Sequence, residues 1–175
     1  MHLVIIDMQE KLLPHVADSD SVLLNTFKLA KAFKILNLPV TATRQIKLGE
    51  TVSPLREILD NVYEKTTFSC MGCEEFVRKI MGDKKFVLAG IETHICVLQT
   101  ALDMLKYGFE VHVAVDATSS RKEVDRETAI RRMIQEGVKV TTAEAVIYDI
   151  LKDAKHEKFK EILEIIKMQR VSESD

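Results

Sequence analysis

Cys96 lies where an apolar run at residues 86–89 gives way to a helical pattern that continues to Leu105. The apolar run predicts a buried strand, Gly90 ends it, and Thr93 is the expected helix N-cap. Cys96 is then expected in the first helical turn, where free backbone N–H groups and the helix dipole stabilise an anion. A cysteine in that position ionises more readily than a free one, and its thiolate can act as a nucleophile.

Asp7 and Lys65 are the charged residues that could act together with Cys96. Asp7 follows the apolar run 3–6, and Lys65 stands in the segment EKTTFS. A strand-end aspartate can serve as a general base toward a thiol, and an ammonium between a carboxylate and a thiolate stabilises both anions. The structural alternatives stay open: a turn residue for Asp7, a solvated surface lysine for Lys65 and a small buried hydrophobe for Cys96.

Two further cysteines, Cys70 and Cys73, have CxxC spacing. This spacing is compatible with a redox dithiol or with half of a zinc site. No second CxxC and no paired-histidine motif supplies the remaining zinc ligands, and the pair does not open a helix after a strand. The sequence also lacks GxGxxG, GxxxxGK[ST] and GxSxG, which disfavours a dinucleotide-binding protein, a P-loop NTPase and a serine hydrolase.

Length and composition indicate a single globular domain. The chain has 175 residues, of which 46% are hydrophobic and 30% charged. We expect one domain over residues 1–169 and a frayed tail at 170–175. The 25 basic and 27 acidic residues give a net charge of −2 without blocks of one sign, so neither nucleic acid nor a membrane is an expected partner.

The cysteine count and the first residues bear on the compartment. Three cysteines without a disulfide-like framework favour a reducing setting. The first residues, HLVIID, are strand-like and show no charged leader with a cleavage site. We expect the cytoplasm, and an organellar matrix is compatible with the same observations.

The functional residues have to be positioned by alternating strands and helices. Continuous apolar runs separated by amphipathic helices predict a three-layer α/β/α fold with a mostly parallel central sheet. Residues 46–64 are the exception and predict a long loop with a short helix. Capping-box spacing predicts helix starts at Ser120–Glu123 and at Thr141–Glu144. In parallel sheets, sites form beyond the carboxyl ends of the strands, where Asp7 and Cys96 are expected.

Four segments together resemble the isochorismatase-like cysteine hydrolase superfamily: LVIIDMQ, KTTFS, GIETHICV and VHVAVDATSSR. The resemblance extends from residue 3 to about residue 168. The segments TRQIKLGETV and DATSSRKEVDRETAIRRM are most similar to the isochorismatase-domain-containing subgroup. The resemblance implies the isochorismatase-like, Rossmann-like topology of that superfamily.

The resemblance further implies a catalytic triad of Asp7, Lys65 and Cys96. In the superfamily the cysteine attacks the carbonyl of a small amide, the aspartate moves the thiol proton, and the lysine supports the ion pair. It also implies a non-proline cis peptide between Ile91 and Glu92. That bond would direct the N–H of Glu92 and the N–H of Cys96 at one point, which forms an oxyanion hole.

The sequence departs from its relatives in three ways. It lacks the Asp-x-His metal pair of nicotinamidases after the second strand, so we expect no metal and no other cofactor. It keeps the cysteine that true isochorismatases lack, so we do not expect isochorismatase activity. Glu92 stands where the superfamily often has a small residue. Directed into the pocket, it would disfavour acidic substrates or bind a cationic group; directed outward, it carries no information about the substrate. Weaker substrate-binding candidates, each equally compatible with a structural role, are Gln9, Gln45, Phe68 and Ile91.

The leading hypothesis is a cofactor-free cysteine hydrolase of a small-molecule amide. Family resemblance also implies a homo-oligomer. In this chain we expect the 46–64 loop and the apolar C-terminal helix to be the contact surfaces. The main alternative is a non-catalytic ligand-binding or scaffold protein that keeps the fold. A redox protein using Cys70 and Cys73 and a receiver-like signalling domain are the remaining alternatives.

Overall fold

The computed structural model describes residues 1–171. Its centre is one sheet of six strands in the order β3-β2-β1-β4-β5-β6. The strands are β1 (His2–Ile6), β2 (Val40–Gln45), β3 (Val62–Lys65), β4 (Lys85–Ile91), β5 (Glu110–Ser119) and β6 (Lys139–Thr141). Every neighbouring pair is parallel.

Helices cover both faces of this sheet. They are α1 (Ser19–Ile35), α2 (Ser53–Arg56), α3 (Glu74–Ile80), α4 (Leu98–Lys106), α5 (Glu123–Glu136), α6 (Ala143–Leu151) and α7 (Phe159–Lys167), with short helical turns at Leu13–His15, Cys70–Gly72 and Thr93–Val97. Helices α1, α6 and α7 pack on one face, and α3, α4 and α5 pack on the other. The three-layer α/β/α fold predicted from the sequence is confirmed.

The central strand β1 contributes to two apolar cores because alternate side chains point to opposite faces of a sheet. Leu3 and Ile5 join the cluster on the α1 side. Val4 and Ile6 join the cluster on the α3–α5 side. A strand buried on both faces needs a continuous apolar run, and β1 has one in the sequence LVII.

Gly90 brings strands β1 and β4 unusually close together. Its φ is +116°, and a Cβ atom built there would lie 2.0 Å from the carbonyl oxygen of Ile6. Asp7 directly follows Ile6 in the chain and has a left-handed φ of 51°. Aspartate tolerates this conformation better than most residues. The backbone at the end of β1 is therefore fixed by a contact that only glycine permits.

Three local predictions need correction. Residues Val62–Lys65 form the edge strand β3 instead of continuing a loop, because parallel pairing with β2 supplies their backbone hydrogen bonds. The capping box at Ser120 does not form; α5 starts at Glu123 without a side-chain cap. Helix α6 is capped one residue later than predicted, since Thr142 Oγ1 accepts from the N–H of Ala145 at 3.3 Å.

The last four residues of the predicted frayed tail, 172–175, lie outside the described residues. Among residues 1–171, no helix has the length and apolar character needed to cross a membrane.

Candidate active site

Asp7, at the carboxyl end of β1, is fully buried, and both of its carboxylate oxygens are hydrogen-bonded. Thr43, on the neighbouring strand β2, donates from Oγ1 to Oδ1 at 2.9 Å. Lys65, at the end of β3, donates from Nζ to Oδ2 at 2.7 Å. The three strands β1, β2 and β3 are adjacent and parallel, so their carboxyl ends bring these side chains together.

The ammonium of Lys65 is enclosed by acceptors. Besides Asp7, it donates to Gln45 Oε1 at 2.8 Å and to the carbonyl oxygens of Thr67 at 3.1 Å and Phe68 at 3.0 Å. Burial by itself lowers the pKa of Lys65, but the negative charge of Asp7 and the hydrogen bond to it favour the charged form, and the pKa is raised. Lys65 is therefore a permanent cation near neutral pH.

Two of the four weaker substrate-binding candidates help to position Lys65. Gln9 is fully buried and donates to the carbonyl oxygens of Gln45 at 2.9 Å and Gly49 at 2.7 Å. Its Oε1 accepts from the N–H of Gln45 at 2.8 Å. Gln45 in turn binds Lys65, so both glutamines act within the protein as supports of the ammonium.

The other two candidates differ from the glutamines and from each other in exposure. Ile91 is fully buried in the cluster on the α1 side, whereas Cys96 belongs to the cluster on the opposite face. Phe68 is 55% exposed and lines a cleft of about 610 Å³ between residues 66–72 and α4. Lys65 binds the inner side of that loop through backbone carbonyls.

Cys96 lies in a π-helical turn, Thr93–Val97, that leads into α4. Thr93 does not cap this turn; its hydroxyl bonds Thr118 Oγ1 at 2.8 Å. Lys65 Nζ lies 3.7 Å from Cys96 Sγ, and the cysteine is 6% exposed. The structure thus brings together all three residues that the sequence singled out.

The proton of Cys96 stays on sulfur in the resting protein. Burial and the negative charge of Asp7 raise the pKa of Cys96, and the charge of Lys65 offsets only part of this rise. The expectation that Cys96 ionises more readily than a free cysteine is therefore wrong for the resting protein. The trio consists of a thiol, a carboxylate and an ammonium, so a nucleophilic thiolate forms only when the proton leaves for a nearby base.

Glu92, which precedes the helical turn, is 4% exposed and paired with Arg121. Its Oε2 accepts from the backbone N–H of Arg121 at 3.0 Å and from Nε at 3.1 Å. The peptide bond between Ile91 and Glu92 is cis. Since the guanidinium balances the carboxylate, Glu92 does not present an uncompensated negative charge to a substrate.

Cys70 and Cys73 are free thiols with separate partners. Cys70 is buried beside Thr43, with 3.5 Å between Sγ and Oγ1. Cys73 donates to the carbonyl oxygen of Glu64 at 3.6 Å. Among residues 1–171, no group of three or more histidine, cysteine or acidic side chains is arranged to hold a metal ion.

The sequence patterns did not identify Thr43, Thr100 and Arg121. Thr43 pairs with Ile6, the last residue of β1, and this place on the neighbouring strand is the one signal that would have identified it. Thr100 accepts from the backbone N–H of Cys70 at 2.9 Å. This contact joins α4 to the Cys70–Gly72 turn, and no spacing in the sequence predicts it. Arg121 lies just past the end of β5, in the segment already matched to the superfamily.

The fold and the site define an α/β protein with a buried cysteine, lysine and aspartate at the carboxyl edge of a parallel sheet. The model of the isochorismatase domain matches residues 1–145. Isochorismatase domain-containing protein 2 of Xenopus laevis is 42% identical over 168 residues, which cover 94% of this chain and 82% of that protein. The chain belongs to the isochorismatase family.

Two solved structures are similar over nearly the whole fold. One is titled MAR1 ribonuclease from Caenorhabditis elegans, with a TM-score of 0.91, 36% identity and coverage of 98% of this chain and 91% of that chain. The other is the YcaC gene product of Escherichia coli, described as an octameric hydrolase of unknown specificity. Its TM-score is 0.86 at 28% identity, and the match covers 93% of this chain and 83% of that chain.

Proposed function

We propose that this chain is a cysteine hydrolase that cleaves the C–N bond of a small-molecule amide through a thioacyl intermediate on Cys96. The observation that carries the proposal is the buried trio, in which Lys65 Nζ lies 2.7 Å from Asp7 Oδ2 and 3.7 Å from Cys96 Sγ. A thiol, a base and a fixed cation within reach of each other are what nucleophilic catalysis by cysteine requires.

In each half of the proposed reaction, Asp7 takes up one proton and passes it on. Cys96 Sγ attacks the amide carbon while its proton passes to Asp7. The N–H groups of Glu92 and Cys96 are the proposed donors to the oxyanion. The C–N bond then breaks, and the leaving amine takes the proton from Asp7. Asp7 next takes a proton from water, and the resulting hydroxide attacks the thioester carbon. The C–S bond breaks, the acid is released, and Asp7 returns the proton to the sulfur of Cys96.

The position of Lys65 explains why the proton transfer is feasible in a dry site. The trio has the same net charge before and after the proton moves from Cys96 to Asp7. The ammonium stabilises the carboxylate at first and the thiolate afterwards, so no charge is created in the interior. We propose that the mechanism needs no metal, since each step uses a group of this chain.

We propose a small molecule rather than RNA as the substrate, although the similar protein of Caenorhabditis elegans is described as a ribonuclease. The net charge of −2 offers no excess of cations for a polyphosphate backbone. Only 6% of Cys96 is exposed, which suits a small acyl group better than a polymer. RNA cleavage that persists in the protein but disappears in Cys96→Ala would contradict this choice.

A panel of small primary amides and ureido compounds tests the proposal, with released ammonia or amine as the readout. Hydroxylamine in a parallel assay converts a thioacyl intermediate into a hydroxamate. We expect turnover of at least one panel member that is abolished in Cys96→Ala, retained in Cys73→Ala and unaffected by EDTA. Binding without turnover in both the wild type and Cys96→Ala would support the scaffold alternative.

The redox alternative predicts a Cys70–Cys73 disulfide with a defined potential. The two thiols have different partners, which disfavours that alternative. Their free state agrees with the reducing compartment, the cytoplasm, that we propose.

We also propose that the chain forms a homo-oligomer, as the similar YcaC structure is described as octameric. Helix α7 is a poor contact surface because Ile162 and Ile165 already pack in the core. The segment 46–64, which contains α2 and runs into the edge strand β3, stays the proposed surface. Light scattering would test self-association, and a monomer at micromolar concentration would contradict it.

A further inference from the structure

Beyond the trio, the fold places a second buried thiol behind the carboxylate of Asp7. Cys70 and Thr43 are both buried, and Sγ of Cys70 lies 3.5 Å from Oγ1 of Thr43. Oγ1 of Thr43 lies 2.9 Å from Oδ1 of Asp7. The three groups form a chain of hydrogen bonds that ends on the carboxylate oxygen facing away from Lys65.

The chemistry of the groups fixes the direction of these bonds. A carboxylate only accepts, so the single hydroxyl hydrogen of Thr43 is donated to Asp7. The lone pair of Thr43 can then accept from Cys70, whose thiol has to keep its hydrogen. Burial raises the pKa of Cys70 to about 11, so the thiol is protonated near neutral pH. Thr100 holds the Cys70 backbone in place through its hydroxyl oxygen, at 2.9 Å.

We infer that Thr43 and Cys70 are positioning residues that hold the carboxylate of Asp7 ionised and oriented as the base for Cys96. This inference rests on the proposed function. A buried carboxylate needs hydrogen-bond donors in place of water, and Lys65 donates only to Oδ2 of Asp7. Thr43 donates to Oδ1 of Asp7. Cys70 polarises the hydroxyl of Thr43, because hydrogen bonds in a chain strengthen one another.

The test follows the alkylation of Cys96 by iodoacetamide as the pH is lowered. Once Asp7 takes up a proton, it can no longer accept one from Cys96, and the alkylation rate falls. The groups that face Asp7 in this titration are Lys65 from β3, Cys96 from the helical turn and Cys70 from the Cys70–Gly72 turn. The midpoint of the acid limb is an apparent value that belongs to the coupled trio as a whole.

Thr43→Val removes the donor and keeps the shape of the side chain. We expect the midpoint to move up by about one pH unit, because a carboxylate that loses a donor in a dry site takes up a proton more readily. Thr43→Ser keeps the hydroxyl and should restore the midpoint. A purely structural role for Thr43 would lower stability and leave the midpoint in place, and an unmoved midpoint in folded Thr43→Val would overturn the inference.

Cys70→Ala supplies an independent arm that keeps Thr43 itself. We expect a smaller upward shift of the midpoint in Cys70→Ala and none in the matched control Cys73→Ala. Equal midpoints in both variants would remove Cys70 from the inference. If Cys96 of the wild type shows no alkylation or no acid limb, the proposed function itself fails, and that outcome is distinct from an acid limb that Thr43→Val leaves unmoved.

Discussion

The ammonium of Lys65 and the carboxylate of Asp7 form an ion pair with 2.7 Å between Nζ and Oδ2, and both side chains are fully buried. The two residues are 58 positions apart in the sequence and meet because the carboxyl ends of β1 and β3 lie at the same edge of the sheet. Removing one partner of such a buried pair lowers stability strongly, whereas replacing both partners with neutral groups costs much less. Single and double variants therefore measure the coupling between the two residues.

Lys65→Met should lower the free energy of unfolding by about 3–5 kcal/mol, since the carboxylate of Asp7 is left buried without its partner. Asp7→Asn combined with Lys65→Met should regain much of this loss, because no unpaired charge remains. Urea denaturation of both single variants and the double variant measures the coupling. Additive losses would show that the two groups do not form a pair in solution.

Gly90→Ala should lower the free energy of unfolding by at least about 3 kcal/mol, because the new Cβ would clash with the backbone of Ile6 and the φ is unfavourable for alanine. Gly137→Ala is the matched control: its φ is +102°, but a Cβ there meets nothing within 4 Å. We expect a cost of about 1 kcal/mol for the control. Similar thermal shifts in both variants would contradict the close approach of β1 and β4.

The stability of the protein should depend on His2 at mildly acidic pH. Burial lowers the pKa of His2 from 6.5, although the neighbouring Asp83 works against this shift and Lys79 adds to it. The unfolded chain then binds a proton at higher pH than the folded protein. The contribution of neutral His2 to stability is present above pH 6.5 and is lost as the pH falls toward the lowered value.

Urea denaturation between about pH 7 and about pH 5 checks this dependence, because the free energy of unfolding should fall less steeply in His2→Gln than in the wild type. His2 bonds Asp83 at 2.8 Å and Thr41 at 2.7 Å, so the glutamine variant is compared by its slope and not by its absolute stability. Parallel curves for the two proteins would exclude His2 as the source.

The sequence predicted the layers of the fold and the three central residues of the site, because both depend on local patterns. Apolar runs identify buried strands, and strand ends identify the edge where Asp7 and Cys96 meet. The irregular segment before Lys65 concealed strand β3, since an edge strand of four residues with mixed polarity has no clear period. The raised pKa of Cys96 could not be predicted from the sequence either, because the burial of the thiol and its closeness to Asp7 depend on tertiary packing.

The contacts of the residues that support the site could not be predicted from the sequence. Gln9 and Gln45 were identified as candidates, but only the structure shows that their side chains bind Gly49 and Lys65. The pairing of Glu92 with Arg121 joins two loops that follow different strands. Such contacts follow from side-chain directions at the sheet edge, which neither periodicity nor spacing encodes.

The most direct test of the account is the pH dependence of Cys96 alkylation in the wild type and in Asp7→Asn, measured by mass spectrometry with Cys73 as the internal reference. If the thiol proton passes to Asp7, no proton leaves the trio, and the wild-type rate should change less than about two-fold between about pH 6 and about pH 8. In Asp7→Asn the proton must go to solvent, so the rate should rise about ten-fold per pH unit. The same steep rise in both proteins would contradict the assignment of Asp7 as the base for Cys96.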